Sequence, residues 1–502
     1  MAIAPPALPD AVVAFTPGDR LRTAISAKLA QIADIAPRLP RNEREALAAA
    51  YTDAEPLWVG AEGWTSAAKS VIRRLKAADE DGLDAADYPV PVPATRAPTL
   101  EDWAEAELKL SAAAILYARN ARGGRIDPAR LSALITPKLD LPETREVLAD
   151  LGAAADPGAA LGAYNPSHAG YRALKARLAQ LRATRRTMAP MVRVPRGPAL
   201  KIGMRDPRVP LIRARFNVDP AAGDQTAYDE RLASAVAAFQ KEKGLPPHGV
   251  LDALTVAALG SGPSPARLEA DLVANMERWR WLPADLGARH LLVNVPEYRL
   301  RLVDQGQTVH QARVIVGKAE TPTPIFSDEM EHVIVNPSWT VPPSIMKKEF
   351  LPALAMDPWY AARRGYRVIR RGGKIALQQP PGERNALGFV KFIFPNNHSV
   401  YLHDTPNRNL FSAGRRAFSH GCVRVDQPFR LAEEILEREG PWSEERLRRL
   451  VGKGERYIRV KQRLPVHIAY FTLMVDEKGD LKTFDDLYGF HRKVKSALGF
   501  EG

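Results

Sequence analysis

The residues best suited to chemistry lie in one short stretch, Ser419-His420-Gly421-Cys422. Cys422 is the only cysteine among 502 residues, so it cannot form a disulfide within the chain or share a metal with other thiolates. Three roles remain possible for Cys422: a buried inert side chain, a redox sensor or a nucleophile. The preceding glycine permits a tight turn and close approach of a substrate, and His403 ends a strand-like run upstream. These neighbours favour a nucleophile.

A cysteine nucleophile needs a base, because a free thiol is only slightly ionised at neutral pH. A histidine within hydrogen-bonding reach takes the proton and later returns it to a leaving amine. Backbone N–H groups around Gly421 and Cys422 would face the developing oxyanion. Asp426, followed by Pro428 and an apolar helical pattern, predicts the cap of a helix directly after the cysteine.

The elements that position these residues belong to a long, globular chain. With 45% hydrophobic and 26% charged residues, its composition is that of a soluble protein, and its length predicts about three domains. No apolar run reaches the length of a membrane-spanning helix. The net charge of +13 suggests an anionic partner. Lys and Arg are scattered rather than clustered with aromatic residues, which argues against nucleic acid and favours solvated surfaces, with a polyanionic polymer such as cell wall second.

Patterning along the chain predicts a multidomain α+β fold. We expect a flexible arm at 1–40, a helical domain at 41–198, a small three-helix domain at 199–262, a helix at 265–282 that is a candidate to pack on the helical domain, a mainly-β domain at 283–480 and a tail at 481–502. The strands around the turn at 304–307 predict a meander. The long irregular segment at 344–395 predicts an inserted lid.

The small domain carries a recognisable pattern, Ala235-Val-Ala-Ala-Phe-Gln240 followed by Gly244-Leu245, Gly249 and Thr255. This pattern resembles the three-helix peptidoglycan-binding module. A small helical spacer is the alternative, because Phe239 and Leu245 are core residues in either case.

The chemical motif resembles that of a known family. His403, a gap of 15 residues and Ser419-His-Gly-Cys422 match the His-x(14–17)-[Ser/Thr]-His-Gly-Cys signature of the L,D-transpeptidases, which have a YkuD-type catalytic domain. The resemblance covers about residues 45 to 475 and is to the large Gram-negative type, with a helical scaffold, a peptidoglycan-binding module and a lidded catalytic domain. Further similar segments are 299–302, 314–318, 321–324, 336–345 and 401–405.

The resemblance implies a role for each matching residue. Cys422 would be the nucleophile, His403 the base, and the Asp404 backbone carbonyl the group that orients the imidazole. Gly421 and Cys422 would supply oxyanion N–H donors. The residues expected to shape the site or contact the substrate are Ser419, His420, Arg424, Tyr401 and Trp339. No metal or organic cofactor is implied.

For Arg424 and Trp339, the sequence is compatible with more than one role. Arg424 stands where many family members have Asn, although Arg also occurs there. A guanidinium could hold a substrate carboxylate bidentately, or Arg424 could simply pair with Asp426. Trp339 either lines the cleft or packs in the base of the lid.

The implied function is peptidoglycan L,D-transpeptidation. A thioester would form on the third stem residue, diaminopimelate, with release of D-Ala, and an acceptor amine would resolve it to a 3→3 crosslink or to an attached envelope protein. Carbapenems would acylate the thiol. Three alternatives stay open: a thiol hydrolase that trims stem peptides, a zinc peptidase using His403 and His420, and an inactive wall-binding scaffold. The substrate predicts a periplasmic location, although the first residues show no secretory leader.

Overall fold

The computed structural model describes residues 17–52, 54–91, 98–187, 194–219, 224–260, 265–371 and 374–500. It has the predicted multidomain α+β fold, with helices in the amino-terminal part and a β-rich carboxy-terminal part. The chain divides into two compact units, one formed by Met1–Ala173 and Ala274–Gly502, the other by Leu174–Val273. This division differs from the boundaries at 198 and 262 that we expected from composition, because long helices run through both division points.

The helical region has nine helices among the described residues, and one short hairpin. The helices are α1 Pro17–Leu29, α2 Ile32–Ile35, α3 Arg41–Ala50, α4 Ser66–Lys76, α5 Leu100–Gly123, α6 Pro128–Leu131, α7 Thr144–Ala153, α8 Pro157–Gly162 and α9 Ala169–Thr187, and the hairpin strands are β1 Val59–Gly60 and β2 Gly63–Trp64. Helix α5 starts with a capping box between Thr99 and Asp102, which satisfies its first free N–H groups.

The expected amino-terminal arm is wrong from residue 17 onward. Leu21, Ile25 and Ile35 are buried in the core of the helical region, so α1 and α2 are part of it. The Pro- and Ala-rich composition concealed this, because the few large apolar residues stand at helical spacing among many alanines. Residues 1–16 of the expected arm lie outside the described residues.

The small domain contains α10 Val209–Phe216, α11 Glu230–Glu242 and α12 Ala253–Gly260. The spacing of Gln240, Gly249 and Thr255 in its sequence motif is explained by the buried side-chain amide of Gln240. Gln240 Nε2 donates to the Val250 carbonyl (2.9 Å) and to Thr255 Oγ1 (2.8 Å), and its Oε1 accepts from the Gly249 N–H (2.9 Å). The amide is therefore satisfied on all sides only when these residues stand at this spacing. A further helix, α13 Pro265–Trp279, precedes the β-rich region.

The β-rich region is built on a nine-stranded sheet. Its strands are β3 Arg289–Asn294, β4 Arg299–Asp304, β5 Gln307–Gly317, β6 Phe326–Val335, β10 Val390–Ile393, β11 Leu402–His403, β12 Ala417–Ser419, β13 Val423–Val425 and β14 Arg456–Ala469. The order is β12-β5-β13-β11-β10-β6-β14-β3-β4, and an antiparallel β4–β5 pairing closes the sheet on itself. Strands β3, β4 and β5 form the predicted meander.

One face of this sheet forms the main core. Val293, Leu302, Val314, Phe392 and Leu402 are fully buried there. The remaining helices of the region are α14 Pro343–Ile345, α15 Leu351–Met356, α16 Tyr360–Arg363, α17 Pro428–Leu436, α18 Glu444–Arg448 and α19 Phe490–Ala497. The period-two burial along the strands leaves alternate side chains on the opposite face.

The lid insertion is a small subdomain of its own. Strands β7 Trp339–Thr340, β8 Arg367–Arg371 and β9 Lys374–Gln379 form a three-stranded sheet, and one turn of π-helix spans Met346–Phe350. Its core is the buried set Val341, Phe350, Ala361 and Leu377. Residues 390–393 lie within the expected lid bounds of 344–395, but they form β10 of the main sheet. Val390 and Phe392 alternate with Lys391, as in a strand with one buried face, and β6 pairs with this segment.

The expected tail at 481–502 is also wrong. Strand β16 Leu481–Thr483 pairs with β15 Leu473–Val475, and Phe490 and Val494 of α19 are buried in the main core. This segment is short, and its apolar residues are few, so only its packing reveals it as part of the domain.

Candidate active site

Three neighbouring strands bring the predicted base into a row of three side chains. His403 of β11 pairs with Lys391 of β10 on one side and with Arg424 of β13 on the other. The preceding residue, Leu402, pairs with Phe392 and Val423, and these three side chains point into the core. Because successive side chains alternate between faces, His403, Lys391 and Arg424 share the face away from the core.

Cys422 and Tyr401 extend this face by one more pair. The Val423 N–H donates to the Tyr401 carbonyl (3.1 Å), which sets Cys422 beside Tyr401. Cys422 is half-buried, and its Sγ lies 4.0 Å from the Ser399 carbonyl oxygen. The rings of Tyr401 and His403 are 5.6 Å apart. Cys422 and His403 are therefore diagonal neighbours on adjacent strands.

The His403 imidazole is held in one tautomer. Its Nδ1 lies 2.5 Å from the Asp404 carbonyl oxygen, which can only accept, so Nδ1 carries the proton and Nε2 keeps a free lone pair. The side chain is 5% exposed. Burial, together with the positive charges of Arg424 and Lys391, lowers the pKa of His403 to about 3. The imidazole is thus neutral and has an available acceptor nitrogen.

The Cys422 thiol is also neutral at rest. Burial raises the pKa of Cys422 above its usual range, and hydrogen bonds from Tyr401 with the charges of Lys391 and Arg424 oppose that rise without outweighing it. A neutral thiol beside a neutral imidazole transfers its proton during attack rather than before it.

The loop before Cys422 is folded around the Ser419 hydroxyl. Ser419 Oγ donates to the Cys422 carbonyl (2.5 Å) and accepts from the Gly421 N–H (3.1 Å). The Gly421 N–H, which we expected to face an oxyanion, is therefore bound to Ser419 here. Gly421 has φ of 115°, a conformation that side chains with a Cβ rarely adopt, which accounts for glycine at this position.

Three family models match the chain in the expected order. Residues 288–460 match the YkuD L,D-transpeptidase catalytic domain, residues 45–178 a scaffold domain, and residues 211–259 a family described as "Putative peptidoglycan binding domain". A Haemophilus influenzae protein named "Putative L,D-transpeptidase" is 32% identical over 244 residues, 45% of this chain and 49% of that relative. The match thus spans about half of the relative. The predicted resemblance to the L,D-transpeptidases is confirmed.

Solved structures of L,D-transpeptidases are also similar, at low identity. One from Xylanimonas cellulosilytica is 17% identical with a TM-score of 0.17, covering 55% of this chain and 99% of its own. One from Mycobacterium smegmatis is 12% identical with a TM-score of 0.19, covering 36% and 58%.

In this L,D-transpeptidase-like domain, a buried threonine that sequence reasoning had not singled out holds the cysteine loop. Thr323 Oγ1 donates to the Gly421 carbonyl (2.8 Å) and accepts from the Gly317 N–H (2.9 Å), and the residue is fully buried. Thr321 Oγ1 adds a bond to the Ser419 carbonyl (3.2 Å). Residues 321–324 resemble the family's sequence, which was the one sequence feature pointing to Thr323. Its contacts with Gly317 and Gly421 could not be predicted, because they depend on the pairing of strands that are distant in the chain.

The Asp404 carboxylate anchors the backbone that orients His403. It accepts from the N–H groups of Phe389 (2.9 Å) and Thr405 (2.7 Å) and pairs with Arg408 (3.0 Å). A Cβ at Gly388 would lie 2.4 Å from the Asp404 side chain, so this approach requires glycine. The side chain of Asp404 thus fixes the carbonyl that His403 uses.

Two predicted residues connect the domain to its lid. His420 Nε2 lies 2.6 Å from Oε1 of Glu349 in the π-helical turn. The Trp339 indole hydrogen-bonds the Tyr401 hydroxyl, and its ring also lies 6.1 Å from that of Tyr366 in the lid. Trp339 therefore packs in the base of the lid and lies beside Tyr401.

Arg424 is not engaged by Asp426. That carboxylate accepts two hydrogen bonds from Arg313, at 2.9 and 2.7 Å, so the expected Arg424–Asp426 pair is absent from the described contacts. Asp426 also does not cap the following helix, because Gln427 occupies the N-cap of α17. Arg424 is left with a buried Nε that has no hydrogen-bond partner.

Within the described residues, no group of three or more His, Cys, Asp or Glu side chains is arranged to hold a metal ion. None of the helices in those residues is both long and apolar enough to cross a membrane.

Proposed function

We propose that this chain is a peptidoglycan L,D-transpeptidase that uses Cys422 as nucleophile and His403 as general base. The observation that carries the proposal is the neutral imidazole, held through Nδ1 by the Asp404 carbonyl with Nε2 free, diagonal to the thiol on the same face of the sheet. A base with a fixed tautomer beside a nucleophile is the arrangement that acyl transfer requires.

In the first half-reaction, Sγ attacks the carbonyl carbon of the third stem residue while His403 Nε2 takes the thiol proton. The tetrahedral intermediate collapses as the carbon–nitrogen bond breaks. The imidazolium then gives its proton to the leaving amine of D-Ala, and a thioester remains on Cys422.

In the second half-reaction, an acceptor amine attacks the thioester and His403 takes its proton. Sulfur leaves as thiolate and is reprotonated by the imidazolium, which restores the resting pair. The acceptor is the side-chain amine of another diaminopimelate, giving a 3→3 crosslink, or an amine of an envelope protein.

The oxyanion of each intermediate needs hydrogen-bond donors. The backbone N–H of Cys422 is one candidate. The Gly421 N–H is a second, provided that it exchanges the Ser419 hydroxyl for the oxyanion. The lid over this face would exclude water, so that an amine rather than water resolves the thioester.

The other domains fit the same substrate. A match to a peptidoglycan-binding family at residues 211–259 supports glycan or stem-peptide binding, and such a substrate lies outside the cytoplasm, which supports a periplasmic location. Carbapenems are expected to acylate the Cys422 thiol.

The test is incubation of the purified protein with tetrapeptide muropeptides, followed by mass analysis. Crosslinked dimers are expected, together with released D-Ala. Tripeptides without dimers would instead identify a hydrolase, and unchanged tetrapeptide would identify an inactive wall-binding scaffold.

Substitutions of Cys422 and His403 test the roles proposed for these two residues. Cys422→Ala should abolish product, and His403→Ala should lower the rate by about 10²–10⁴-fold, the usual contribution of a general base. His332→Ala, a histidine elsewhere in the sheet, serves as the control and should retain activity. Activity that survives thiol alkylation but not chelation would favour a zinc peptidase.

A further inference from the structure

Two cationic side chains flank the His403 imidazole on adjacent strands. Lys391 pairs with His403 from β10, and Arg424 pairs with it from β13. Neighbouring strands are about 4.8 Å apart, so the two cations start from backbone positions about 10 Å apart, with His403 between them.

Neither cation is paired with a carboxylate of the described residues. No ion pair within 4.0 Å is found for either one in the described parts of the chain. Lys391 Nζ instead lies 3.9 Å from the centre of the Tyr401 ring, and the buried Arg424 Nε has no hydrogen-bond partner. The neighbouring carboxylate of Asp426 forms an ion pair with Arg313 instead.

The carboxylate of Glu455 is a second acid near these cations, and it hydrogen-bonds another group. Glu455 is close enough to Lys391 to act on it electrostatically, but its carboxylate accepts from the Ser338 N–H at 2.8 Å. Burying positive charge without a counterion is costly, so two such groups on one reactive face indicate a site for an anion.

We propose that Lys391 and Arg424 form a subsite for the free terminal carboxylate of the donor peptide, and so make that carboxylate a requirement for reaction. The inference rests on the proposed function. The leaving amine must reach His403 Nε2 to take its proton, and in a terminal amino acid the carboxylate carbon is two bonds from that nitrogen. The carboxylate of the leaving residue therefore lies beside His403, where the two cations flank it.

The chemistry of the two side chains suits this ligand. A guanidinium binds a carboxylate through two parallel hydrogen bonds, and an ammonium adds a point charge. The same charges help to hold the pKa of His403 low in the free protein. A carboxylate bound between them offsets that effect, so the bound donor makes His403 a stronger base.

The first experiment needs no turnover. Cys422 is the single cysteine, so its alkylation can be followed as one mass increment. The rate with anionic iodoacetate is divided by the rate with neutral iodoacetamide, which cancels any change in thiol ionisation. We expect this ratio to fall by about tenfold in Lys391→Met and in Arg424→Met, the size of one lost charge interaction at short range.

Two kinds of control accompany it. Lys391→Arg and Arg424→Lys keep the charge and should restore most of the ratio, while Lys461→Met, an exposed lysine of β14, should leave it unchanged. Thermal unfolding of each variant checks that the fold is intact. An unchanged ratio in folded Lys391→Met and Arg424→Met would overturn the subsite.

The second experiment compares a tetrapeptide donor with its carboxy-terminal amide. The wild-type protein should prefer the free acid by about tenfold or more in kcat/KM, and the preference should shrink in the two Met variants, as in a double-mutant cycle. Equal use of both donors by the wild type contradicts the proposal. If no donor reacts and the alkylation ratio still falls, the proposed transpeptidation fails while the anion subsite stands.

Discussion

At the scale of single residues, the thiol and the imidazole are both uncharged in the resting protein. Burial alone disfavours the charged form of each group, and the two neighbouring cations oppose the protonation of His403 further. Such a pair differs from the thiolate–imidazolium pairs of strongly activated cysteine enzymes. The neutral thiol is therefore a weak nucleophile in the resting protein.

The pH dependence of alkylation tests this state. Because burial raises the pKa of Cys422, the rate of its reaction with iodoacetamide should climb continuously from pH 6 to beyond pH 9, without a plateau near neutrality. His403→Gln should retain this profile while losing turnover. A plateau below pH 7 would mean that an ion pair is preformed.

A second test concerns acid stability. The pKa of His403 is about 3 in the folded protein and about 6.5 in an unfolded chain, so the unfolded state binds more protons between these values. Stability conferred by the neutral imidazole is therefore lost as the pH falls below 6.5, by about 2 kcal/mol at pH 5.

We expect His403→Gln to lack this loss. Urea unfolding of wild type and variant at pH 7 and pH 5 measures it, and the variant should lose less stability between the two. The subtraction removes the contributions of other buried histidines, such as His467. Parallel losses in both proteins would contradict the buried neutral imidazole.

At the scale of elements, the position of the cysteine depends on a segment far upstream. Thr323 bonds both Gly317 at the end of β5 and Gly421 in the loop. The Tyr488 hydroxyl supports the same place, donating to the Gly317 carbonyl (2.6 Å) and accepting from the Thr323 N–H (3.2 Å). The loop is thus built from three distant parts of the chain.

Replacing Thr323 by Val keeps the shape and removes the hydroxyl. The Gly317 N–H and the Gly421 carbonyl then lose a partner, which should cost about 1–3 kcal/mol and lower kcat. Thr321→Val removes a single bond and should have the smaller effect on both. The free energy of unfolding and the rate of thioester formation are the measurements, and equal effects would argue against the central role of Thr323.

The contact between the lid and the cysteine motif should matter less. His420 and Glu349 are both largely solvent-exposed, and exposed pairs of this kind contribute about 0–1 kcal/mol. Glu349→Gln should therefore change kcat/KM by no more than about fivefold. A much larger loss would show that this contact closes the lid.

The sequence predicted the fold class, the family resemblance and much of the architecture, but not the neighbours of the candidate site. Cys422 and His403 are found by a local motif, and the meander by alternation within each strand. Lys391 lies beside His403, and Arg313 binds Asp426, only because β10, β11, β13 and β5 pair out of chain order. The end of the lid and the carboxy-terminal helix were predicted wrongly for a related reason. In short segments, packing against the rest of the domain decides which secondary structure forms.

At the scale of the whole molecule, the second half of α13 joins the helical region to the β-rich region. Asn275 accepts from the Thr472 N–H (3.0 Å) on one side, and Glu277 accepts from the Ile126 N–H (2.9 Å) on the other. Arg280, which is 1% exposed, follows the helix and donates to the Asp81 carbonyl (2.6 Å) and the Tyr171 hydroxyl (2.9 Å).

Removing this buried guanidinium should be strongly destabilising. In Arg280→Met, the buried Glu277 side chain loses the guanidinium that lies 3.7 Å from its carboxyl oxygen, and a cost of about 3–5 kcal/mol is expected. Arg41→Met, which breaks an exposed pair with Glu45, should be far less destabilising, because solvent screens such pairs. Thermal unfolding measures both, and a mild effect of Arg280→Met would mean that this junction carries little of the stability.

The place of Tyr488 in the chain order has a consequence for biosynthesis. A nascent polypeptide that has emerged only as far as Cys422 already contains its thiol and its imidazole. Tyr488, whose hydroxyl supports the loop, is made later, so the thiol and the imidazole are synthesised before this support. The hydrogen bonds that hold the Cys422 loop can therefore be completed only after synthesis has passed Tyr488.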